Sequence, residues 1–143
     1  MNTDAEKTAI QSLVNAARQA FHDKDSATIN AQFVPNAVIF DLAPPLVHGP
    51  DVAALTSWLA SWDGPVDQEW RDLTIAVGGD LAFCHGLCKV SAKTKADGQQ
   101  AEWWQRATVC LSRGDGGWKI VHEHTSVPFH MDGSFRAATD LQP

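Results

Sequence analysis

Four long strand-like runs, joined by tight turns, fill the second half of the chain and constrain its fold more than any other feature. They lie at roughly residues 68–77, 81–95, 100–113 and 118–127. Each turn between them is rich in glycine, and turns of this kind are typical of β-hairpins. Successive hairpins predict a meander of antiparallel strands.

Two amphipathic helices precede these runs. Thr3 and Glu6 have the spacing of a capping box, and apolar residues recur at helical spacing as far as Asp23. A second apolar stripe begins near Pro50, and a short strand-like run at 37–42 lies between the two helices. Helices followed by a strand meander indicate an α+β domain, in which the helices cover the concave face of a curved antiparallel sheet. Such a cone-shaped fold encloses a cavity.

The length and charge of the chain limit what it can bind. Its 143 residues fit one domain spanning 1–143. Because the net charge is −6 and there is no basic stripe, we expect no nucleic-acid partner. No apolar run has the ~20 residues that a membrane span needs, and the first residues lack the features of a signal peptide. We therefore expect a cytoplasmic protein without membrane association, whose three cysteines are reduced thiols.

The last strand-like run contains two histidines, His122 and His124, separated by one residue. Side chains alternate along a strand, so both histidines should share the face of Trp118 and Ile120. That face begins with apolar residues and ends with two imidazoles, as a strand does when it leaves the core and enters a polar pocket. The alternation therefore predicts that both imidazoles point into the cavity.

The preceding run carries one charge on a face that is otherwise uncharged. Trp104, Arg106 and Thr108 alternate along the run and share that face. A buried arginine is very rarely without a partner. If this face points inward, Arg106 needs an anion, either Asp41 or the carboxylate of a ligand. We predict that Arg106 and Thr108 contact the substrate.

Asp41 follows the apolar run 38–40 and precedes a proline-rich loop. A carboxylate among apolar side chains is poorly solvated, and poor solvation raises the pKa of a carboxyl group toward that of a general base. We predict that Asp41 takes a proton from the substrate. His124, with His122 and Arg106, would stabilise the negative charge that develops.

The chain has six tryptophans and no tyrosine. Trp58, Trp62 and Trp104 are predicted to form apolar walls of the cavity. Walls of this kind suit a flat or hydrophobic substrate.

Each of these residues also has a structural interpretation. The two histidines could form an exposed strand face, or they could bind a metal together with Asp41, although the spacing marks no third ligand. Arg106 could serve in a structural ion pair, and Asp41 could cap the loop that follows it. We expect neither a metal nor a cofactor.

The segment from Ala37 to Asp41, followed by 49–55, resembles the strand, loop and helix of ketosteroid isomerases. In those enzymes an aspartate in the place of Asp41 is the proton-transferring base. The segments 104–108 and 117–129 are similar to the last two strands of SnoaL-like domains, which belong to the nuclear transport factor 2-like superfamily. The same arginine and histidine pattern also resembles the association domain of calcium/calmodulin-dependent kinase, an oligomerising hub.

These resemblances imply a cone-shaped, cystatin-like α+β barrel with a small-molecule site. Ketosteroid isomerases hold the substrate oxyanion with a tyrosine, and Ala16 stands in its place here. Steroid isomerisation through that tyrosine is therefore not expected.

Two functions follow from these residues. The first is a cofactor-free isomerase, lyase or cyclase acting on a small hydrophobic or carboxylate-bearing molecule, with Asp41 as the base. The alternative is a non-catalytic ligand-binding or oligomerisation domain. Because Val109, Leu111 and Val121 would lie on the outer face of the sheet, we also expect a homodimer packed through that face.

Overall fold

Three helices form in the computed structural model, which describes residues 2–143. They are α1 (Thr3–His22), α2 (Ser26–Ala31) and α3 (Val52–Ala60). Asn2, not Thr3, caps α1, because its side chain accepts hydrogen bonds from the N–H groups of Asp4 and Ala5. Glu6 is thereby free to accept hydrogen bonds from Arg113 and from the indole of Trp118. The predicted capping box is wrong, although the predicted helix forms.

Five strands form one curved, unclosed sheet. They are β1 (Phe33–Phe40), β2 (Trp62–Gly78), β3 (Leu81–Thr94), β4 (Gln100–Gly114) and β5 (Gly117–Ser126). Their order across the sheet is β1-β5-β4-β3-β2. β1 runs parallel to β5, and the other neighbours are antiparallel. The predicted α+β fold is confirmed.

The core lies between the helices and the concave face of the sheet. One cluster surrounds Ile10 of α1, and a second surrounds Leu59 of α3 and Val66 of β2. Cys84 and Cys88 of β3 are buried in these clusters, where burial raises the pKa of their thiols to about 11 and about 12. Thiols in this environment are unreactive at neutral pH.

The chain after β5 folds back on itself. Phe129 pairs with Ala137, and the N–H of Ala138 donates to the carbonyl oxygen of Pro128 at 2.7 Å. Ala138 is only 2% exposed. This C-terminal segment, residues 128–143, therefore packs against the open end of the sheet. Within residues 2–143, none of the helices is long and apolar enough to cross a bilayer.

Candidate functional site

One extra residue in β5 decides which side chains enter the cavity. Leu111 of β4 pairs with Ile120, but its neighbour Cys110 pairs with His122, so Val121 has no partner in β4. This β-bulge interrupts the alternation of the strand. Ile120 points into the core, whereas His122 and His124 lie on the outer face. The predicted face of both histidines is wrong, because it assumed an unbroken alternation from Ile120; His122 lies away from the cavity, whereas His124 still borders it at the end of the strand.

The same correction applies to β4. Val109 and Leu111 are buried in the core, so they do not lie on the outer face as predicted. Arg106 and Thr108 take the opposite face and are exposed. The Nε of Arg106 donates to the hydroxyl of Ser126 at 3.1 Å. Arg106 thus shares a face with the two histidines, but that face is the outer one.

The tryptophans divide between the two faces. Trp104 lies on the outer face with its ring 6.0 Å from the guanidinium of Arg71 and 5.8 Å from the ammonium of Lys89, so it is not a cavity wall. On the inner side, Trp58 and Trp62 pack edge to face with ring centroids 6.1 Å apart. Trp62 in turn lies 6.3 Å from Trp103. Neither Trp58 nor Trp62 lines the cavity, so neither is one of its walls as predicted; Trp103, for which no role was predicted, does line it.

The cavity opens at the end of the sheet where β1 and β5 finish. It has a volume of about 370 Å³. Asp41, Trp103 and Thr125 line it from the sheet, and Ala137 and Thr139 line it from the C-terminal segment. His124 also borders the cavity, although its ring packs against Phe40 on the outer face.

Asp41 lines this cavity, but its side chain is 51% exposed, so the poor solvation predicted from its apolar neighbours is wrong. One carboxylate oxygen accepts hydrogen bonds from the N–H of Leu42 at 2.8 Å and from the hydroxyl of Thr125 at 3.3 Å. The other oxygen lies 3.5 Å from Nε2 of His48. The backbone of His48 pairs with Ile39, which brings its ring to Asp41. Asp41 is thus oriented by three neighbours, and its catalytic role stays a prediction.

Glu123 is the residue that the sequence analysis missed. It pairs with Ile39 on one side and Val109 on the other, two buried residues that place its side chain on the inner face. Burial raises the pKa of the Glu123 carboxyl to about 7, and the negative charge of Asp41 acts in the same direction. The nearby imidazole of His48 partly offsets both effects. Among residues 2–143, no side chain or N–H group donates a hydrogen bond to its carboxyl group.

Asp41 and Thr125 therefore line the cavity, and Glu123 and His48 lie close to Asp41 without being among the lining residues. None of the lysines or arginines of the described chain lines the cavity. Residues 2–143 contain no group of three or more histidine, cysteine, aspartate or glutamate side chains placed to hold a metal ion.

Comparison with known proteins agrees with this architecture. The SnoaL-like domain family matches residues 10–130. The chain belongs to the SnoaL-like family. None of the curated proteins matches this SnoaL-like chain.

Solved structures show the same fold. A nuclear transport factor 2-like protein of unknown function from Pseudomonas putida is 31% identical, with 99% of each chain covered and a TM-score of 0.86. A proposed dehydratase of the same superfamily from Streptomyces avermitilis is 16% identical over 87% of this chain and 97% of its own, with a TM-score of 0.77. A proposed calcium/calmodulin-dependent protein kinase II association domain from Xanthomonas campestris is 16% identical over 82% of this chain and 84% of its own, with a TM-score of 0.72. The last two likenesses concern the fold of this SnoaL-like domain.

Proposed function

We propose that this protein is a cofactor-free acid–base enzyme that acts on a small, uncharged, hydrophobic molecule. The observation that carries the proposal is a pair of neighbouring carboxyl groups: Asp41 lines the cavity, and Glu123 lies behind it, where burial and the charge of Asp41 raise the pKa of Glu123 to about 7. Pairs of acids in different environments divide the roles of acid and base between them. Asp41 is the proposed base, and Glu123 is the proposed acid.

The reaction would begin at a carbon next to a carbonyl group. Asp41 removes a proton from that carbon, and the protonated Glu123 donates a hydrogen bond to the oxygen that becomes negative. Return of the proton to another carbon gives an isomerase, and loss of a neighbouring group gives a lyase. Positioned acids and bases of this kind contribute roughly 10²- to 10⁴-fold to a rate.

The surroundings of Asp41 support its role. Thr125 and the N–H of Leu42 fix one oxygen, and the second oxygen lies near Nε2 of His48. The indole of Trp103 offers a flat wall for the body of the substrate. Orientation of the base before the reaction reduces the entropy cost of proton transfer.

The charge of the cavity favours a neutral substrate. A carboxylate-bearing ligand was expected because Arg106 was predicted to lie inside, but Arg106 is bound to Ser126 on the outer face. The carboxylate of Asp41 would repel the carboxylate of a ligand, and no lysine or arginine of the described chain lines the cavity to offset that repulsion. The proposed dehydratase among the solved structures has the same fold, which is compatible with this chemistry.

Exchange of hydrogen for deuterium tests the proposal directly. 2-Tetralone is a flat neutral ketone with acidic protons beside its carbonyl, and proton NMR in D₂O follows their loss. We expect the protein to accelerate this loss over buffer. Asp41→Asn should reduce the acceleration at least about 100-fold, and Glu123→Gln about 10-fold or more.

Arg106→Ala is the matched control, because it removes a charge that the sequence analysis placed in the site and the structure places outside it. Exchange in this variant should equal that of the unmodified protein. Loss of exchange in Arg106→Ala, with normal exchange in Asp41→Asn, would contradict the assignment. Binding of 2-tetralone, detected as quenching of tryptophan fluorescence, without any exchange would instead favour the non-catalytic ligand-binding domain.

A further inference from the structure

The two carboxylate oxygens of Asp41 have different surroundings. Oδ1 accepts hydrogen bonds from the N–H of Leu42 at 2.8 Å and from the hydroxyl of Thr125 at 3.3 Å. Oδ2 accepts no hydrogen bond from residues 2–143, and Nε2 of His48 lies 3.5 Å from it. Oδ2 is therefore the oxygen that is free to take a proton from a substrate.

The ring of His48 is fixed in place, and so is the position of its proton. The backbone of His48 exchanges two hydrogen bonds with that of Ile39, at 2.8 and 3.1 Å. Nδ1 donates to the carbonyl oxygen of Gly49 at 2.8 Å, and a carbonyl oxygen can only accept. In the neutral ring the proton is thus on Nδ1, and Nε2 has the lone pair. The nitrogen that lies next to Asp41 is a proton acceptor.

This lone pair matches a protonated Asp41 better than an ionised one. Two groups that can only accept form no hydrogen bond with each other while both lack a proton. Once Oδ2 has taken a proton from a substrate, Nε2 of His48 becomes its hydrogen-bond acceptor. Contacts between catalytic groups are often long in a protein without its substrate and shorten when the substrate binds. The arrangement therefore suits the state that follows proton abstraction.

Other groups of the described chain beside Asp41 are less suited to pass this proton to water. Thr125 already donates to Oδ1, and burial raises the pKa of Glu123 to about 7, so that Glu123 keeps a proton of its own up to that pH. The ring of His124 packs against an aromatic ring of the outer face. His48 differs from these groups, because 35% of its side chain is exposed and it does not line the cavity. A substrate that covers Asp41 leaves the ring of His48 in contact with water.

We propose that His48 passes the proton that Asp41 takes from the substrate on to water. The proposal rests on the role of Asp41 as the base, and His48 acts through Asp41 without touching the substrate. In the first step a C–H bond of the substrate breaks, its electron pair stays on the substrate, and the proton binds Oδ2. In the second step this O–H bond breaks and an N–H bond forms at Nε2. Release of the proton from Nε2 to water restores both side chains.

This path of the proton widens the range of reactions that the site can complete. A base that can only return its proton to the substrate is restored by isomerisation alone. A base that gives its proton to water is also restored when the substrate loses a neighbouring group, as in a lyase reaction. In an isomerisation, the product then takes its new hydrogen from water. The origin of that hydrogen therefore reports whether the proton left through His48.

Isomerisation of 3-cyclohexenone in D₂O at neutral pH tests the proposal. Ultraviolet absorbance follows formation of the conjugated ketone, and proton NMR shows whether protium or deuterium has entered carbon 4. We expect mostly deuterium in the product of the unmodified protein. His48→Leu removes Nε2 but keeps the backbone pairing with Ile39, so it should fold normally by circular dichroism. Its rate should stay within about threefold, and the deuterium content of its product should fall at least about fivefold, because Asp41 then returns the proton it took.

A second variant separates passage of the proton from orientation of Asp41. The amide of His48→Gln can donate a hydrogen bond to Oδ2 but cannot take up a proton. Its product should therefore contain as little deuterium as that of His48→Leu. His22→Leu is the matched control, because it removes an imidazole that lies 2.6 Å from another carboxylate, that of Asp67, and does not line the cavity. Its product should equal that of the unmodified protein.

The results distinguish failure of the relay from failure of the base. If the unmodified protein does not isomerise the ketone, or if Asp41→Asn is as fast as the unmodified protein, both assignments are overturned. If Asp41→Asn is inactive but His48→Leu gives a product with the deuterium content of the unmodified protein, Asp41 remains the base and the relay is refuted. Full deuterium content in the product of His48→Gln would show that His48 only orients Asp41.

Discussion

At the scale of the residue, Glu123 is the side chain that folding perturbs most within the site. Burial and the charge of Asp41 both favour its protonated form, and the pKa of its carboxyl rises from 4.5 to about 7. A group with these properties is a poor contributor to stability but a useful proton donor near neutral pH. Burial of the Glu123 carboxyl thus makes it a proton donor near neutral pH and also lowers the free energy of unfolding.

This cost should appear in the pH dependence of stability. Between about pH 4.5 and pH 7, the native state holds a proton on Glu123 that the unfolded state has released. The free energy of unfolding should therefore fall as pH rises through this window and level off above it. Glu123→Gln has no such proton to lose, so its urea midpoint should vary less from pH 5 to pH 8. Glu69→Gln, which removes an exposed acid paired with Lys89, is the control and should retain the native slope.

The same group sets the expected pH dependence of the reaction. Because Glu123 donates a hydrogen bond only when protonated, the exchange of 2-tetralone should decline as pH rises above about 7. Proton NMR at pH 6 to 9 measures this decline. If exchange in Glu123→Gln declines over the same interval as in the unmodified protein, another group is the acid.

At the scale of the element, the sequence predicts where strands lie better than which way they face. Glycine-rich turns and alternating apolar residues locate β3, β4 and β5 to within a few residues. The face that each side chain of β5 takes depends on Val121, which has no partner in β4. That unpaired position arises from contacts between the two strands, which no local sequence pattern encodes. Because of this one bulge, His122 and His124 lie on the face opposite to the predicted one. Glu123 lies on the inner face, where the unbroken alternation did not place it. Asp41 was found because it ends a strand, a position that local sequence does reveal.

The C-terminal segment is the element with the clearest testable role in the cavity. Ala138 is buried, and its neighbours Ala137 and Thr139 line the cavity. Ala138→Asp would bury a carboxylate without a partner, so the segment should detach at a cost of about 1–3 kcal/mol. We expect a lower urea midpoint together with loss of 2-tetralone exchange. Gln142→Asp, near the exposed end of the same segment, should change neither the urea midpoint nor the exchange. If Ala138→Asp has the urea midpoint and the exchange rate of the unmodified protein, the segment is not a cavity wall.

At the scale of the whole molecule, the two faces of one sheet carry different kinds of side chain. The concave side holds Asp41 at the cavity with Glu123 behind it, and the outer face presents aromatic rings and imidazoles. The order of helices and strands, together with the resemblance to SnoaL-like domains, predicted this architecture. Which polar side chains of β4 and β5 belong to the cavity could not be predicted, because both strands carry polar residues on both faces. The pairing of the two strands in the structure was needed to assign them.

Cysteine labelling can report which face is covered. Cys110 lies on the outer face beside His122, whereas Cys84 and Cys88 are buried in the core. At pH 7.5, iodoacetamide should label Cys110 more slowly as protein concentration rises and dimers form. Mass spectrometry of peptides should show Cys84 and Cys88 unlabelled at every concentration. Labelling of Cys110 at a rate independent of concentration would count against coverage of the outer face.

The unpaired Val121 has a consequence for how such proteins diversify. A shift of one residue moves every following side chain of a strand to the other face. Deletion of Val121 would remove only the unpaired residue and leave His122 opposite Cys110, so the faces would stay as they are. Insertion of one further residue that pairs with β4 beside Val121 would instead turn His122 and His124 inward and Glu123 and Thr125 outward. The same stretch of gene is thus one gained codon away from exchanging a carboxylic acid for a pair of imidazoles. Descendants of one ancestor could exchange their chemistry in this way without a single substitution.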